Sequence, residues 1–209
     1  MTELFYEKIK KPILTQGILE VVLKFMLFVS TIIFLFVPTF VITVDGVSDI
    51  PITSFDYVKA CISGERCIEE LNNIAIVEVL MGFCLMLMIL YFLYSLIISI
   101  FSLMDLKLYA KYVFFAIYSD PRYAARTIRL SGEASCFLLL FVIKLFPGIL
   151  SMIFALFSNE LTATVSFNTI GVFLQLFSTV ACLVLTSYIK PRYKKLPRYS
   201  DSYLNQNDN

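Results

Sequence analysis

Lys144 is the residue whose chemistry stands out most, because it lies inside the otherwise charge-free stretch from Ala134 to Phe157. A basic residue at the centre of a membrane helix costs about 2.5–3.5 kcal/mol on insertion scales. The ammonium therefore needs a carboxylate, a water-filled cavity or an acid from another chain. Pro147 and Gly148 follow it and predict a kink in the same helix. Two interpretations stay open: a specific role in assembly or conduction, or a long stem that snorkels to the interface.

Two polar side chains are candidate partners for Lys144. Gln175 lies near the middle of the fourth apolar run, and Glu78 lies near the outer end of the second. At 1.5 Å per helical residue, Glu78 would sit roughly 10 Å from Lys144 in depth. We therefore expect a Lys144–Gln175 contact in preference to a Lys144–Glu78 contact. These three residues, with Pro147 and Gly148, form the predicted intramembrane polar or partner-binding site.

Glu20 and Lys24 form a second pair of charges, near the start of the first apolar run. They are spaced i, i+4 with the acid first, which is the favoured order on one helix face. The spacing predicts charge that is neutralised at the cytoplasmic end of this helix. A part in an ion pathway is the alternative.

Cys61 and Cys67 lie in the polar segment that follows the first apolar run. Their spacing differs from the Cys-x-x-Cys of thiol oxidoreductases. The sequence predicts a structural disulfide that closes this turn and stabilises it by on the order of 2 kcal/mol. A catalytic redox pair is the alternative.

A short basic helix is predicted between the second and third apolar runs. The segment Ser119–Pro121 has the capping serine and early proline of a helix start. Arg122, Arg126 and Arg129 follow at i, i+4 and i+7, which places them on one face. That face is suited to anionic lipid headgroups or a protein partner. Alternatively, these arginines do no more than fix the topology.

The absence of histidine from the sequence excludes several kinds of chemistry. Ser–His and Cys–His nucleophile pairs, histidine-bearing metal sites and bis-histidine haem cannot be built from this chain alone. No two carboxylates fall at matched depth on facing helices for general acid–base catalysis. A net charge of +1 gives no argument for nucleic acid. We predict a protein that is not an enzyme and that binds no cofactor or metal.

Composition indicates the elements that carry these residues. Of 209 residues, 59% are hydrophobic and 16% charged, against roughly 45–50% and about 25% in soluble domains. The fold class predicted is an all-α integral membrane protein, a four-transmembrane-helix bundle in one domain. The predicted helices cover about 18–44, 74–104, 134–157 and 161–189. They are joined by an outside loop at 45–73 and a cytoplasmic segment at 105–133, with a cytoplasmic tail at 190–209.

Basic residues predict the orientation, because Lys and Arg concentrate on the cytoplasmic side of membranes. Only Lys59 and Arg66 lie in the outside segments. Thirteen lie in the other flanks: Lys8, Lys10, Lys11, Lys107, Lys111, Arg122, Arg126, Arg129, Lys190, Arg192, Lys194, Lys195 and Arg198. Both termini are therefore expected in the cytoplasm, with the chain in a plasma membrane or a bacterial inner membrane.

The functional expectation is a non-enzymatic multi-pass subunit, assembly factor or regulator that works through helix–helix contacts within a larger membrane complex. Its partners would be the lipid bilayer and another protein or a second copy of the chain. The alternative is a small oligomeric channel or transporter that uses Lys144 and the Pro147–Gly148 kink. A membrane enzyme acting on lipid or quinone is third. No motif identifies a known family.

Overall fold

The computed structural model describes residues 3–44, 50–63, 72–105, 131–146, 149 and 163–194. Within these residues the chain forms five helices and one three-stranded sheet. In chain order the elements are α1 (Glu3–Phe36), β1 (Phe40–Val44), β2 (Ile50–Ile52), α2 (Ser54–Ser63), α3 (Asn72–Met104), α4 (131–146), β3 (Ala163–Phe167) and α5 (Thr169–Lys194). The protein is therefore mostly helical.

Three of the described helices contain segments long and apolar enough to cross a membrane. They are Lys10–Phe36, Ile76–Met104 and Thr169–Ile189, of 27, 29 and 21 residues. A hydrocarbon core of about 30 Å takes roughly 20 helical residues, so these segments are compatible with an integral membrane protein. The predicted span 134–157 is described only in part, because the structure describes this helix over 131–146 and at residue 149. The four-helix count and the orientation stay predictions.

The all-α prediction is wrong where α1 ends. The charge-free run to Val44 was expected to be helical, but α1 ends at Phe36 and Phe40–Val44 is a strand. Pro38 disfavours the helical conformation at the residue before it. Four β-branched residues then follow in a row at 41–44, and such residues favour strands. Hydropathy alone does not separate an apolar strand from an apolar helix.

The predicted fourth span needs the same correction. It was expected to begin at about 161, but Ala163–Phe167 is a strand and α5 begins at Thr169. Asn168 caps this helix, because its side-chain Oδ1 accepts a 3.3 Å hydrogen bond from the Gly171 N–H. The cap fixes the start of α5 several residues later than the apolar run suggests.

The sheet has the order β2-β1-β3, with both pairings antiparallel. Phe40 on the central strand lies opposite Ile52 on one side and Phe167 on the other. The rings of Phe40 and Phe167 lie 5.3 Å apart, a cross-strand aromatic pair of the kind that stabilises sheets. The segment 45–73, predicted as a loop, thus contains β2 and α2 in its described part.

The chain divides into two compact units. The terminal unit comprises Met1–Leu27, Phe92–Ser135 and Ala181–Asn209, and the central unit comprises Phe28–Tyr91 and Cys136–Val180. Fully buried apolar side chains of the terminal unit include Ile13, Leu23, Leu27 and Ile189. Those of the central unit include Phe34, Leu85 and Phe137. The single membrane domain expected from the sequence stays a prediction.

Candidate functional site

Lys144 is the most deeply buried charge that the structure describes, with 1% of its surface exposed. Its Nζ donates a 2.7 Å hydrogen bond to the backbone carbonyl of Phe34 on α1. Its second contact is an ion pair with Glu78 of α3, where Nζ lies 3.8 Å from Oε2. Lys144 is thus paired inside its own chain, in the central unit.

The expected preference for Gln175 over Glu78 is wrong, because among the described residues Lys144 pairs with Glu78 and not with Gln175. The depth estimate placed Glu78 near the outer end of a helix that was predicted to begin at about 74. In fact α3 begins at Asn72, so Glu78 lies about 9 Å along the helix from its first residue. Depth counted along a straight helix ignores how the helices pack, and the structure brings Nζ of Lys144 within 3.8 Å of Glu78 Oε2.

Aromatic side chains form part of the surroundings of the pair. Phe34, whose carbonyl accepts the Lys144 bond, contacts the rings of Phe137 and Phe141 at 5.7 and 6.5 Å. On α4, Phe141 lies one turn and Phe137 two turns before Lys144. Apolar rings on this face exclude water and strengthen every electrostatic contact inside. The pair therefore has to be satisfied by groups of the protein.

Glu78 has a further partner that the sequence analysis did not single out. The hydroxyl of Ser54, the first residue of α2, donates a 2.5 Å hydrogen bond to Oε2 of Glu78. Ser54 and Glu78 are 0% and 4% exposed. The carboxylate is therefore held between an ammonium on one side and a hydroxyl on the other.

The start of α2 is fixed by a capping box. The Thr53 Oγ1 accepts a hydrogen bond from the Asp56 N–H at 3.1 Å, and the Thr53 N–H donates back to Asp56 Oδ2 at 3.0 Å. This reciprocal arrangement satisfies two backbone donors that a helix start leaves open. The Thr-x-x-Asp signature at 53–56 is readable in the sequence and marks where Ser54 must lie.

Charges and helix ends alternate along this chain of contacts. Phe34 is in the last turn of α1, where carbonyls carry the negative end of the helix dipole, and Lys144 lies against it. Glu78 lies against Ser54 in the first turn of α2, where the dipole is positive. Opposite charges thus follow one another from α1 through α4 and α3 to α2. We call the set of Phe34 carbonyl, Lys144, Glu78 and Ser54 the charge chain.

Gly82 lets α2 approach α3 closely enough for the charge chain to form. It lies one turn after Glu78, and a Cβ at this position would lie 2.3 Å from the Val58 side chain and 2.8 Å from the Ser54 carbonyl oxygen. Both distances are shorter than van der Waals contact. A side chain at 82 would therefore push the start of α2 away from the carboxylate.

Gln175 is fully buried and binds the segment that follows α1. Its Nε2 donates to the Val37 carbonyl at 3.0 Å and lies 3.1 Å from the Thr39 hydroxyl. Gln175 was expected to bond Lys144 or a neighbouring helix, and it bonds the residues just after α1. Gly171 helps, because a Cβ there would lie 2.0 Å from the Pro38 carbonyl oxygen. Side chains from α4 and α5 therefore satisfy carbonyls that the end of α1 leaves open.

The terminal unit contains a different buried pair. Lys24 of α1 forms a short salt bridge with Glu133 of α4, and both side chains are 9% exposed. Glu133 was not singled out in the sequence, where the expected partner of Lys24 was Glu20. Glu20 is itself buried, at 7% exposure. On the same face of α1, the Nε2 of Gln16 is a buried donor without a hydrogen-bond partner among the described residues.

The remaining predicted site residues are not brought to this site by the described part of the chain. Pro147, Gly148 and the three arginines of the basic helix (Arg122, Arg126, Arg129) lie outside the described residues, as does Cys67. Cys61 is described, and it is an exposed free thiol. The disulfide between Cys61 and Cys67 therefore lacks structural support. Within the described residues, no group of three or more His, Cys, Asp or Glu could hold a metal ion.

Comparisons with protein-family models, with curated proteins and with solved structures found no match to this chain.

Proposed function

We propose that the chain is a four-helix integral membrane protein with cytoplasmic termini that acts without catalysis, as a subunit, assembly factor or regulator of a larger membrane complex. It would lie in a plasma membrane or a bacterial inner membrane and work through helix–helix contacts. The three apolar helices support the membrane location. Basic residues support the orientation, since Lys10 and Lys11 of α1 and Lys190 and Arg192 of α5 all belong to the terminal unit.

The observation that carries the proposal is the apolar surface of α3. In the most apolar 18-residue segment of α3, only 28% is buried within the chain. The corresponding share is 44% for α1 and 33% for α5. One stripe of this helix remains exposed at successive turns within the central unit, formed by Leu80, Phe83, Leu87 and Leu90. In a bilayer such a stripe contacts lipid or a helix of another chain, and helix association there depends on packing.

The internal pairing of Lys144 changes where a partner would bind. A lysine without an acid would favour a partner chain that supplies a carboxylate, but Glu78 of the same chain takes that place. The partner contact is therefore assigned to the apolar stripe of α3. We propose that a helix of a different membrane protein binds this stripe.

The test is purification of the full chain in a mild detergent, with mass spectrometry of co-purifying proteins and measurement of particle mass. Leu87→Trp combined with Leu90→Trp adds bulk to the stripe at two side chains that are more than half exposed. We expect this variant to lose a stoichiometric partner while remaining folded and monodisperse.

Phe177→Trp is the matched control, because Phe177 lies on α5 and is 63% exposed. It should retain the partner. A wild-type particle with the mass of one chain and no stoichiometric partner would contradict the proposal. A particle that contains only two copies of this chain would show that the partner is a second copy and not a different protein.

A second candidate function, a small channel or transporter, is favoured by one observation. The charge chain places a buried lysine and a buried glutamate beside the ends of two helices, and ionisable groups inside membrane helices often mark ion pathways. Flux in vesicles containing only this chain, lost in Lys144→Met and kept in Ile143→Met, would support transport. Equal flux in empty vesicles would exclude it.

A further inference from the structure

Within the part of the chain that the structure describes, the hydrogen-bonding capacity of Lys144 is only partly used. An ammonium has three N–H donors, and the only hydrogen-bond acceptor of Lys144 among the described residues is the Phe34 carbonyl. The 3.8 Å between Nζ and Glu78 Oε2 exceeds the roughly 2.7–2.9 Å of a charge-assisted hydrogen bond. The lysine thus occupies the space beside Glu78 without saturating the carboxylate.

The groups around that space are oxygens of three kinds. Glu78 provides a carboxylate, Ser54 a hydroxyl that lies 2.5 Å from it, and Phe34 a backbone carbonyl at a helix C-terminus. Hard cations prefer oxygen ligands of these kinds. In transporters, carbonyls at interrupted helix ends coordinate sodium ions in the same way. All three residues are at most 4% exposed, so the oxygens are shielded from water.

We propose that Glu78, Ser54 and the Phe34 carbonyl form a binding site for a monovalent alkali cation, and that Lys144 is a tethered cation that competes for it. The single carboxylate balances one positive charge, and divalent cations are usually held by several acidic or carbonyl ligands. When a free cation enters, the Lys144 ammonium leaves the carboxylate, and its long stem allows it to reach a more polar position. This inference stands independently of the helix-contact function.

Competition makes a specific prediction about affinity. If Lys144 occupies the site in nine-tenths of the molecules, removal of its ammonium raises the apparent cation affinity about tenfold, since only the competent fraction binds. Removal of the Glu78 charge should abolish binding whether or not the lysine is present. Removal of the Ser54 hydroxyl should weaken binding while leaving the competition intact.

The experiment is equilibrium binding of radiolabelled sodium to the purified full chain in detergent, with choline balancing the ionic strength. We expect weak saturable binding of one ion by the wild type and tighter binding by Lys144→Met. We expect no saturable binding by Lys144→Met combined with Glu78→Gln. Lys24→Met is the matched control, because it removes the other buried lysine, and its affinity should equal that of the wild type.

Two outcomes would overturn the proposal. One is the same sodium affinity in Lys144→Met and in the double variant, because the carboxylate would then not be a ligand. The other is the same affinity in Lys144→Met and in the wild type, because the lysine would then not compete. If Lys144→Met does not fold, Ser54→Ala in the wild-type background decides, and unchanged sodium affinity there contradicts the proposed ligand set.

Discussion

Two buried lysines of this chain are paired in contrasting ways. Lys24, in the terminal unit, makes a short direct contact with Glu133, and both side chains keep 9% exposure. Lys144, in the central unit, lies 3.8 Å from Glu78, and these side chains are 1% and 5% exposed. The more accessible pair is joined by a direct hydrogen bond, and the more buried pair is an ion pair without one.

The contrast follows from what else each lysine contacts. Lys144 has a backbone carbonyl at a helix end as its hydrogen-bond acceptor, and Glu78 has the Ser54 hydroxyl. The helix dipoles at these two ends supply part of the electrostatic stabilisation, so the ions need not touch. An ammonium that makes no hydrogen bond to the carboxylate gives up no such bond when it moves away. We therefore propose that Lys24–Glu133 stabilises the fold, and we keep the charge chain as the functional candidate.

The largest expected effect comes from Lys144→Met, which leaves the Glu78 carboxylate buried without a cation. Breaking a buried ion pair by removing one partner costs about 3–5 kcal/mol. We expect that loss in the unfolding free energy, measured by denaturant titration in detergent in the absence of alkali cations. Ile143→Met is the control on the neighbouring, exposed position. Equal stability of the two variants would remove the basis of the comparison.

Ser54→Ala should have the next largest effect, because the Glu78 carboxylate loses its hydroxyl donor. Hydrogen bonds to charged groups contribute about 1.5–3 kcal/mol. Ser63→Ala, at the exposed end of the same helix, is the control and should change the unfolding free energy little. If both serine variants unfold alike, the short bond between Ser54 and Glu78 adds nothing to stability.

Glu133→Gln should have the smallest effect of the three, about 1–2 kcal/mol, because it removes a charge but keeps a hydrogen-bonding group of the same shape. Lys24 also has interactions besides this salt bridge, which limits the loss. The same titration measures it. If Glu133→Gln lost more unfolding free energy than Lys144→Met, the Lys24–Glu133 pair would contribute more to stability than the Lys144–Glu78 pair, contrary to this expectation.

Much of the helical part of the fold was predictable from the sequence, and the strands were not. Long charge-free runs correctly indicated three helices of membrane-spanning length. The same runs gave no sign of β1 and β3, because both strands are apolar. β1 closely follows the apolar helix α1, and β3 closely precedes the apolar helix α5. The local signals were present: Pro38 after α1, the β-branched run at 41–44, and the Asn168 cap before α5. These local signals were overlooked because the hydropathy criterion averages over about 20 residues and so does not detect a five-residue strand.

The sequence identified Lys144 as the central residue of the site, but it did not identify the partners that Lys144 contacts. Lys144 is identifiable as a lone charge in an apolar run, but its partner depends on how α3 begins and how closely α2 packs. Gly82 and the Thr53–Asp56 capping box carry that information locally. Glu133 was missed because it lies at the boundary between a predicted polar segment and a helix. Which helix end faces which side chain is decided by tertiary packing, which spacing along the chain does not encode.

The most direct test of the central claim, that Lys144 is satisfied by Glu78 of its own chain, is a double-mutant cycle on unfolding free energy. It compares Lys144→Met, Glu78→Gln and the double variant with the wild type. We predict a coupling energy of about 1–3 kcal/mol, with the double variant more stable than Lys144→Met alone. Additive losses, with no coupling between the two positions, would contradict the account.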